Sequence, residues 1–356
     1  MLYTATFILY CAIILLATIN ALVAEYSRYK FLDYIFRGLC FLILWIPAAL
    51  RYDIGTDYAA YAARFYGDFY DPTEFGLYMI FDIVKYFGGG VEWAFAIVAL
   101  LTYFPICFGM PKRGYTITIF FFSIILYLST YNLIRQDLAV CIIAFAFVRY
   151  LIIDYSKLKF LIFVLIASIF HASALLCLLF VFIRPIQSHR LMLIIISVAI
   201  AFTFLVDIPS AIFDNALFQA SRYADYADNQ YSRATELGSG LGVLIKLCIP
   251  LTMFIHSKKL LEYDDKFTFV IFANLLYLCT VILSSHIYIF GRLAALFIFA
   301  PVVSLGLTFE YLGRTRKLEL ISIMLLYSAY FYVSIYVYGA EMIGVCPYQS
   351  HLGIIM

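Results

Sequence analysis

The sequence predicts an all-α polytopic membrane protein. About twelve transmembrane helices are expected, within a range of about 10–13, with two longer outward-facing loops carrying short interfacial helices. Three observations predict this. Of the 356 residues, 65% are hydrophobic and 13% charged, whereas soluble domains carry about 25% charge. Apolar runs of about 17–25 residues recur along the chain, the length a helix needs to cross the hydrocarbon core. Continuous runs such as "LMLIIISVAIAFTFLV" exclude the alternation of a membrane β-barrel.

Taken in order, the apolar runs place helices near 3–24, 31–50, 90–110, 115–133, 136–153, 159–171, 173–184, 190–207, 241–257, 267–286, 288–309 and 319–338. The first run lacks a basic leader and a small-residue cleavage site, so it reads as a helix and not a signal. Segment 75–87, "FGLYMIFDIVKYF", is too short to span. It reads as an interfacial or re-entrant helix that stops at Gly88-Gly89-Gly90. The pair 159–171 and 173–184 is also short and reads as two thin helices or a helical hairpin. The eight cysteines show no metal or redox spacing, and the seven in apolar runs read as small packing residues. The chain reads as one integral membrane domain, residues 1–356, with outer loops 51–89 and 208–240.

Lys and Arg orient the helices. Alternate short loops carry Arg28, Lys30, Arg37, Lys112, Arg113, Arg149, Lys157, Lys159, Arg184, Arg190, Lys258, Lys259, Lys266, Arg314, Arg316 and Lys317, which assigns that side to the cytoplasm. The other side and nearby helix ends hold Arg51, Arg64, Lys85, Arg135, Arg222, Arg233, Lys246 and Arg292. Six of these eight are Arg. They oppose the topology rule, and Arg is the residue suited to bidentate phosphate binding; snorkelling, or pairing with outer acids, is the plainer explanation for any single one.

The first outer loop opens with "RYDIGTDYAAYAARFY", Arg51 to Tyr66. Gly55 permits a turn, and Thr56 or Asp57 is placed to cap a new helix. Tyr58, Tyr61 and Phe65 then fall on one face of an amphipathic interfacial helix; an aromatic-belt anchor with a capping Asp is the structural alternative. The second outer loop sets Arg222, Tyr226, Asn229 and Arg233 at i, i+4, i+7 and i+11, again one helical face. "NLIRQDLA" puts Arg135, Gln136 and Asp137 between two spans; an Arg–Asp turn capping the next helix is the structural alternative. "SIFHAS" holds His171 between apolar stretches, and "YIFGRLAALF" holds Arg292. Ionisable groups at membrane depth are costly and default to functional suspects, although a hydrogen-bonded structural His is as natural a reading of His171. There is no phosphate-binding glycine loop, so ATP is not the expected energy source. Arg neutralising a departing lipid-linked diphosphate without a metal fits this inventory.

The stretches "RYDIGTDYAAYAARFY", "NLIRQDLAVCIIAFAFVRYLI", "SIFHASALLCLLFVF", "FGRLAALFIF" and "CPYQS", in this order, resemble the EpsG-like branch of the Wzy polymerases, which polymerise O-antigen or exopolysaccharide repeat units. Arg222 followed by Gly238 is similar to an Arg-x15-Gly pattern of some Wzy outer loops. The resemblance implies a metal-independent, GT-C-like glycosyltransferase of the bacterial inner membrane, acting on the periplasmic face. It would move a growing glycan from undecaprenyl diphosphate to the non-reducing end of a new lipid-linked repeat unit. Its partners would be undecaprenyl-diphosphate-linked oligosaccharides, membrane lipid and a Wzz-like chain-length regulator, and not nucleic acid; no cofactor or metal is implied. The residues it carries over are Arg51, Gly55, Asp57, Tyr58, Arg135, Gln136, His171, Arg292, Pro347 and Tyr348. Asp137, directly after the Arg-Gln pair, departs from the plainest pattern.

For the chemistry, the expected acid–base candidates are Asp57 and His171, and the expected diphosphate stabilisers are Arg135 and Arg292. Arg51, Tyr58, Tyr61, Gln136, Arg222, Tyr226, Arg233 and Tyr348 are the expected substrate contacts. An O-antigen ligase-type transferase would use the same donor chemistry. A lipid-linked oligosaccharide flippase or other transporter would need more charge in mid-span than Lys246 and Arg292 supply. A membrane acyltransferase centred on His171 would need a second catalytic residue that the sequence does not show.

Overall fold

The computed structural model describes residues 3–67, 75–205, 240–285, 289–339 and 343–355. Among the described residues every regular element is a helix, and the backbone pairings Arg51–Ser350 and Gln349–Ile355 are isolated bridges. The chain forms two compact units, one of residues 1–182 with 302–356, the other of residues 183–301.

The first unit begins with α1 (Thr4–Tyr26) and α2 (Lys30–Leu50), packed on each other, followed by the short α3 (Tyr58–Tyr66) and α4 (Phe75–Tyr86). The length of α4 and its stop at left-handed Gly88 match the sequence reading. Next come α5 (Val91–Gly109), α6 (Tyr115–Ile125) and α7 (Ile134–Ala146), which continues as a π-helical stretch to Ile153. Then follow α8 (Lys157–Phe170), a 3-10 segment (Ala172–Leu178) and α9 (Leu179–Phe182). The α7 span is 72% buried, against 33% for α1 and 22% for α2, so α7 is the axis on which α5 and α8 pack.

At one end of the unit the Glu25 carboxylate caps α6 from α1. It accepts the Gly114 N–H at 2.8 Å, the Thr116 N–H at 2.8 Å and the Thr116 hydroxyl at 2.6 Å, so orphan amides at the α6 N-terminus are satisfied. Arg37 is buried beside Asp33 and donates to the carbonyls of Cys107 and Met110, which ties α2 to the end of α5.

The second unit holds α10 (His189–Leu205), α11 (Leu241–Ile255), α12 (Ser257–Tyr263), α13 (Phe267–Ser284), α14 (Ile289–Phe297) and the start of α15 (Phe299–Leu307). There α10, α11 and α14 all pack on α13. Two helices of the first unit complete the order, α16 (Phe309–Thr315) and α17 (Lys317–Tyr338).

Seven helices among the described residues are long and apolar enough to cross a membrane, or eight if α11 and α12, bent by 54° at their junction, form one span. This corrects the count of about twelve. All twelve predicted segments carry helix, but five fall short. The run 115–133 ends its helix at Ile125, the pair near 159–171 and 173–184 is as short as its sequence implies, and the runs near 190–207 and 241–257 give a 17-residue helix and a bent pair. Leu126, Tyr127 and Leu128 continue the apolar run past Ile125, so hydropathy alone does not mark that end. The loop 208–240, with Arg222, Tyr226 and Arg233, lies outside the described residues.

Candidate active site

Three segments far apart in sequence meet in the first unit. They are the loop 51–57, the turn 129–135 and the C-terminal segment 343–351. Arg51 bridges to Ser350, the Tyr52 N–H donates to the Gln349 carbonyl at 2.9 Å, and the His351 N–H donates to the Leu50 carbonyl at 2.9 Å. The Gly55 N–H donates to the Gly344 carbonyl at 2.8 Å.

Gly55 has φ +100°, and a Cβ there would lie 2.5 Å from the Tyr131 carbonyl oxygen, so the loop requires glycine. Next to it the Asn132 amide clamps two segments at once. Its Oδ1 accepts the Thr56 N–H at 2.6 Å, and its Nδ2 donates to the Ile343 carbonyl at 3.0 Å.

Arg51 is 2% exposed. Its guanidinium lies 5.0 Å from the Phe95 ring and 4.9 Å from the Tyr131 ring, and Nη1 donates to the Ala48 carbonyl at 3.5 Å. Its buried Nε has no hydrogen-bond partner among the described residues. Two aromatic faces thus hold this cation under the loop.

The α3 face follows the predicted spacing, with Tyr58, Tyr61 and Phe65 all buried. The Tyr58 ring packs 4.9 Å from Phe95, and burial raises its phenol above the usual pKa, with Arg51 opposing. Tyr61 is flanked by two guanidiniums. Arg135 donates from Nε to its hydroxyl at 3.2 Å, and Arg64 lies 5.8 Å from the ring. One turn on, Lys85 Nζ lies 5.3 Å from the Phe65 ring. Arg64, Lys85 and Arg135 therefore gather around one small helix. Sequence reasoning counted Arg64 and Lys85 on the outer side without assigning them to the site.

Asp57 occupies the N-cap position of α3, yet its side chain makes no capping bond. The Thr56 hydroxyl is 3.4 Å from its Oδ1. The carboxylate is half-buried.

Arg135, Gln136 and Asp137 lie in the first turn of α7, at the start of the helix expected over 136–153. Arg135 is half-buried and Gln136 buried; Asp137 is 1% exposed, with the Ser129 side chain beside its carboxylate. His171 is half-buried at the joint between α8 and the 3-10 segment, two elements that both pack on α7. Tyr348 is 5% exposed; its hydroxyl donates to the Pro47 carbonyl at 2.9 Å, and burial pushes its pKa up to about 12 against the pull of Arg51. It buttresses the end of α2 from below the loop. Arg292 is exposed on α14, in the second unit.

Neither Asn132 nor His351 was singled out from sequence. The signal for Asn132 was its place just before Arg135; His351 carried none until the C-terminal segment was seen to pair with the first loop.

The model of the EpsG family matches residues 34–350. The chain belongs to the EpsG family. The matched stretch takes in the loop 51–57, the turn 129–135 and all but the last residue of the C-terminal segment. No curated protein and no solved structure matches the chain. EpsG membership points to a polysaccharide polymerase-like, glycosyltransferase-like function for this membrane protein.

Proposed function

We propose that this EpsG-family chain is a polysaccharide repeat-unit polymerase. It transfers a growing glycan from undecaprenyl diphosphate to the non-reducing end of a new lipid-linked repeat unit, on the outer face of the bacterial inner membrane. The observation that carries this reading is the single hydrogen-bonded cluster made from "RYDIGTDY", the Asn132–Arg135 turn and "CPYQS". It supplies cations and a carboxylate on one loop system.

In the proposed reaction the acceptor hydroxyl oxygen attacks the anomeric carbon of the donor. The bond from that carbon to the diphosphate oxygen breaks, and the hydroxyl proton passes to the Asp57 carboxylate. Arg135 meets the departing diphosphate, aided by the positive end of α7 in whose first turn it sits, with Arg64 beside it. Arg51, fixed between Phe95 and Tyr131, adds a buried positive charge under the loop without touching substrate. The departing charge is carried by guanidinium groups, so the reaction is proposed to need no metal. His171, in the same unit, is the second acid–base candidate.

The test is genetic and chemical. Deleting the chain from its source strain is expected to leave a single lipid-linked repeat unit as the main species. Complementation restores ladders on undecaprenyl diphosphate, free of lipid A. Ladders that appear only on lipid A would instead identify a ligase, and an absolute requirement for Mg²⁺ in the purified reaction would remove the metal-independent mechanism.

A further inference from the structure

His351 lies one residue beyond the family match, so family membership gives it no role. The structure brings its imidazole to the mouth of the first loop. Its backbone is fixed by the N–H bond to the Leu50 carbonyl. Its Nε2 lies 3.4 Å from the Tyr58 hydroxyl, and its ring meets the Tyr52 ring edge-on at 5.0 Å. Tyr52 in turn meets Tyr58 at 6.1 Å. Both outer rings stay open: Tyr52 is 49% exposed, His351 is exposed, and Nδ1 of His351 has no hydrogen-bond partner among the described residues.

An exposed aromatic pair at a membrane protein's edge usually anchors it at the lipid interface. Here the surroundings argue otherwise. Asp53 and Thr56, both exposed, follow Tyr52 on the same loop, and an exposed charge with an exposed hydroxyl suits a surface that meets water. Asp53 holds a left-handed φ of 50°, which turns the chain and leaves Tyr52 beside the C-terminal segment. A rigid aromatic face beside a free ring nitrogen, on a wet surface, suits a sugar. The apolar face of a pyranose covers the Tyr52 ring, and a sugar hydroxyl, which both donates and accepts, serves either tautomer of His351 at Nδ1.

We infer that Tyr52 and His351 form a sugar-binding subsite at the rim of the Asp57 loop, one that positions a glycan residue of the repeat unit. The inference rests on the polymerase reading for the identity of its ligand. Because the backbone bonds on both sides of the subsite do not involve these side chains, truncating them leaves the loop pairing in place.

The experiment uses the full chain in nanodiscs. The substrate is the lipid-linked repeat unit that accumulates in the deletion strain; the binding probe is the free oligosaccharide released from it by mild acid. Tyr52→Ala and His351→Ala are expected to weaken oligosaccharide binding and raise KM by about tenfold each, with kcat within about threefold of wild type. Tyr52→Phe keeps the stacking face and His351→Gln keeps a donor and an acceptor, so both are expected to stay within about threefold of wild type. Alanine variants that bind the oligosaccharide as tightly as wild type would overturn the subsite, even if polymer forms normally. A wild-type chain that makes no polymer would overturn the polymerase reading instead, and loss of oligosaccharide binding in the alanine variants would still support the subsite.

Discussion

Gly55→Ala is the sharpest perturbation of the clustered loop. At φ +100° an L-residue pays about 1–2 kcal/mol of backbone strain. Its new Cβ would lie 2.5 Å from the Tyr131 carbonyl oxygen and 2.9 Å from Asn132 Oδ1, far inside ordinary contact. The loop must therefore move off the 129–135 turn. That movement breaks the Gly55–Gly344 and Thr56–Asn132 hydrogen bonds, worth about 1 kcal/mol each. The closed arrangement loses about 3–4 kcal/mol, which shifts the loop-opening equilibrium about 10²–10³-fold. The spans of the first unit keep their packing, so the protein stays folded in the membrane. Hydrogen exchange is the direct assay: the amides of Tyr52, Gly55, Thr56 and His351 are expected to exchange faster by that factor, while α7 amides are unchanged. Polymer ladders fall in parallel. Wild-type protection at these four amides in Gly55→Ala would refute the clamp.

Asp57→Asn separates proton acceptor from helix cap. The carboxylate makes no capping bond, so the variant is expected to melt like wild type while kcat falls by about 10²–10⁴-fold; retained kcat assigns the proton to another group. Arg51→Lys keeps the charge and loses the planar group between Phe95 and Tyr131. Activity is expected to fall at least tenfold, with increased proteolysis at residues 51–57, and wild-type behaviour in both would remove the supporting role. Tyr348→Phe deletes the donor to the Pro47 carbonyl and is expected to cost about 1 kcal/mol in thermal unfolding with little change in KM; a large KM rise would make Tyr348 a substrate contact. Burial raises the Tyr348 pKa from 10.0 to about 12. As pH climbs through that window the unfolded chain loses the proton first. The stability this group confers is thus complete below pH 10 and declines above it, and Tyr348→Phe is expected to flatten the decline measured in denaturant melts.

Much of the first loop was legible in the sequence. The i, i+3, i+7 spacing of Tyr58, Tyr61 and Phe65 gave the buried face of α3, Gly55 gave the turn, and the short run before Gly88 gave α4. Span count was not legible, because "IFFFSIILYL" stays predominantly apolar across Ile125, where its helix ends. The Tyr127 hydroxyl then donates to the Leu44 carbonyl and pairs with Tyr131, contacts that no local pattern reveals. Nor was the burial of Arg51, since a charged residue after an apolar run reads as exposed until its two aromatic partners, at positions 95 and 131, are seen. The pairing of Arg51 with Ser350, and with it the role of the C-terminal segment, depends on contacts across nearly the whole chain. Hydrophobic periodicity reports neighbours on one helix, not partners this distant.

The most direct test of the central claim is polymer synthesis by the purified chain in nanodiscs, supplied only with lipid-linked repeat units, comparing wild type with Arg135→Ala. The account predicts a ladder from wild type without any other protein, and at least about a hundredfold loss of rate in Arg135→Ala with unchanged melting. No ladder from wild type, or an undiminished ladder from Arg135→Ala, would contradict it.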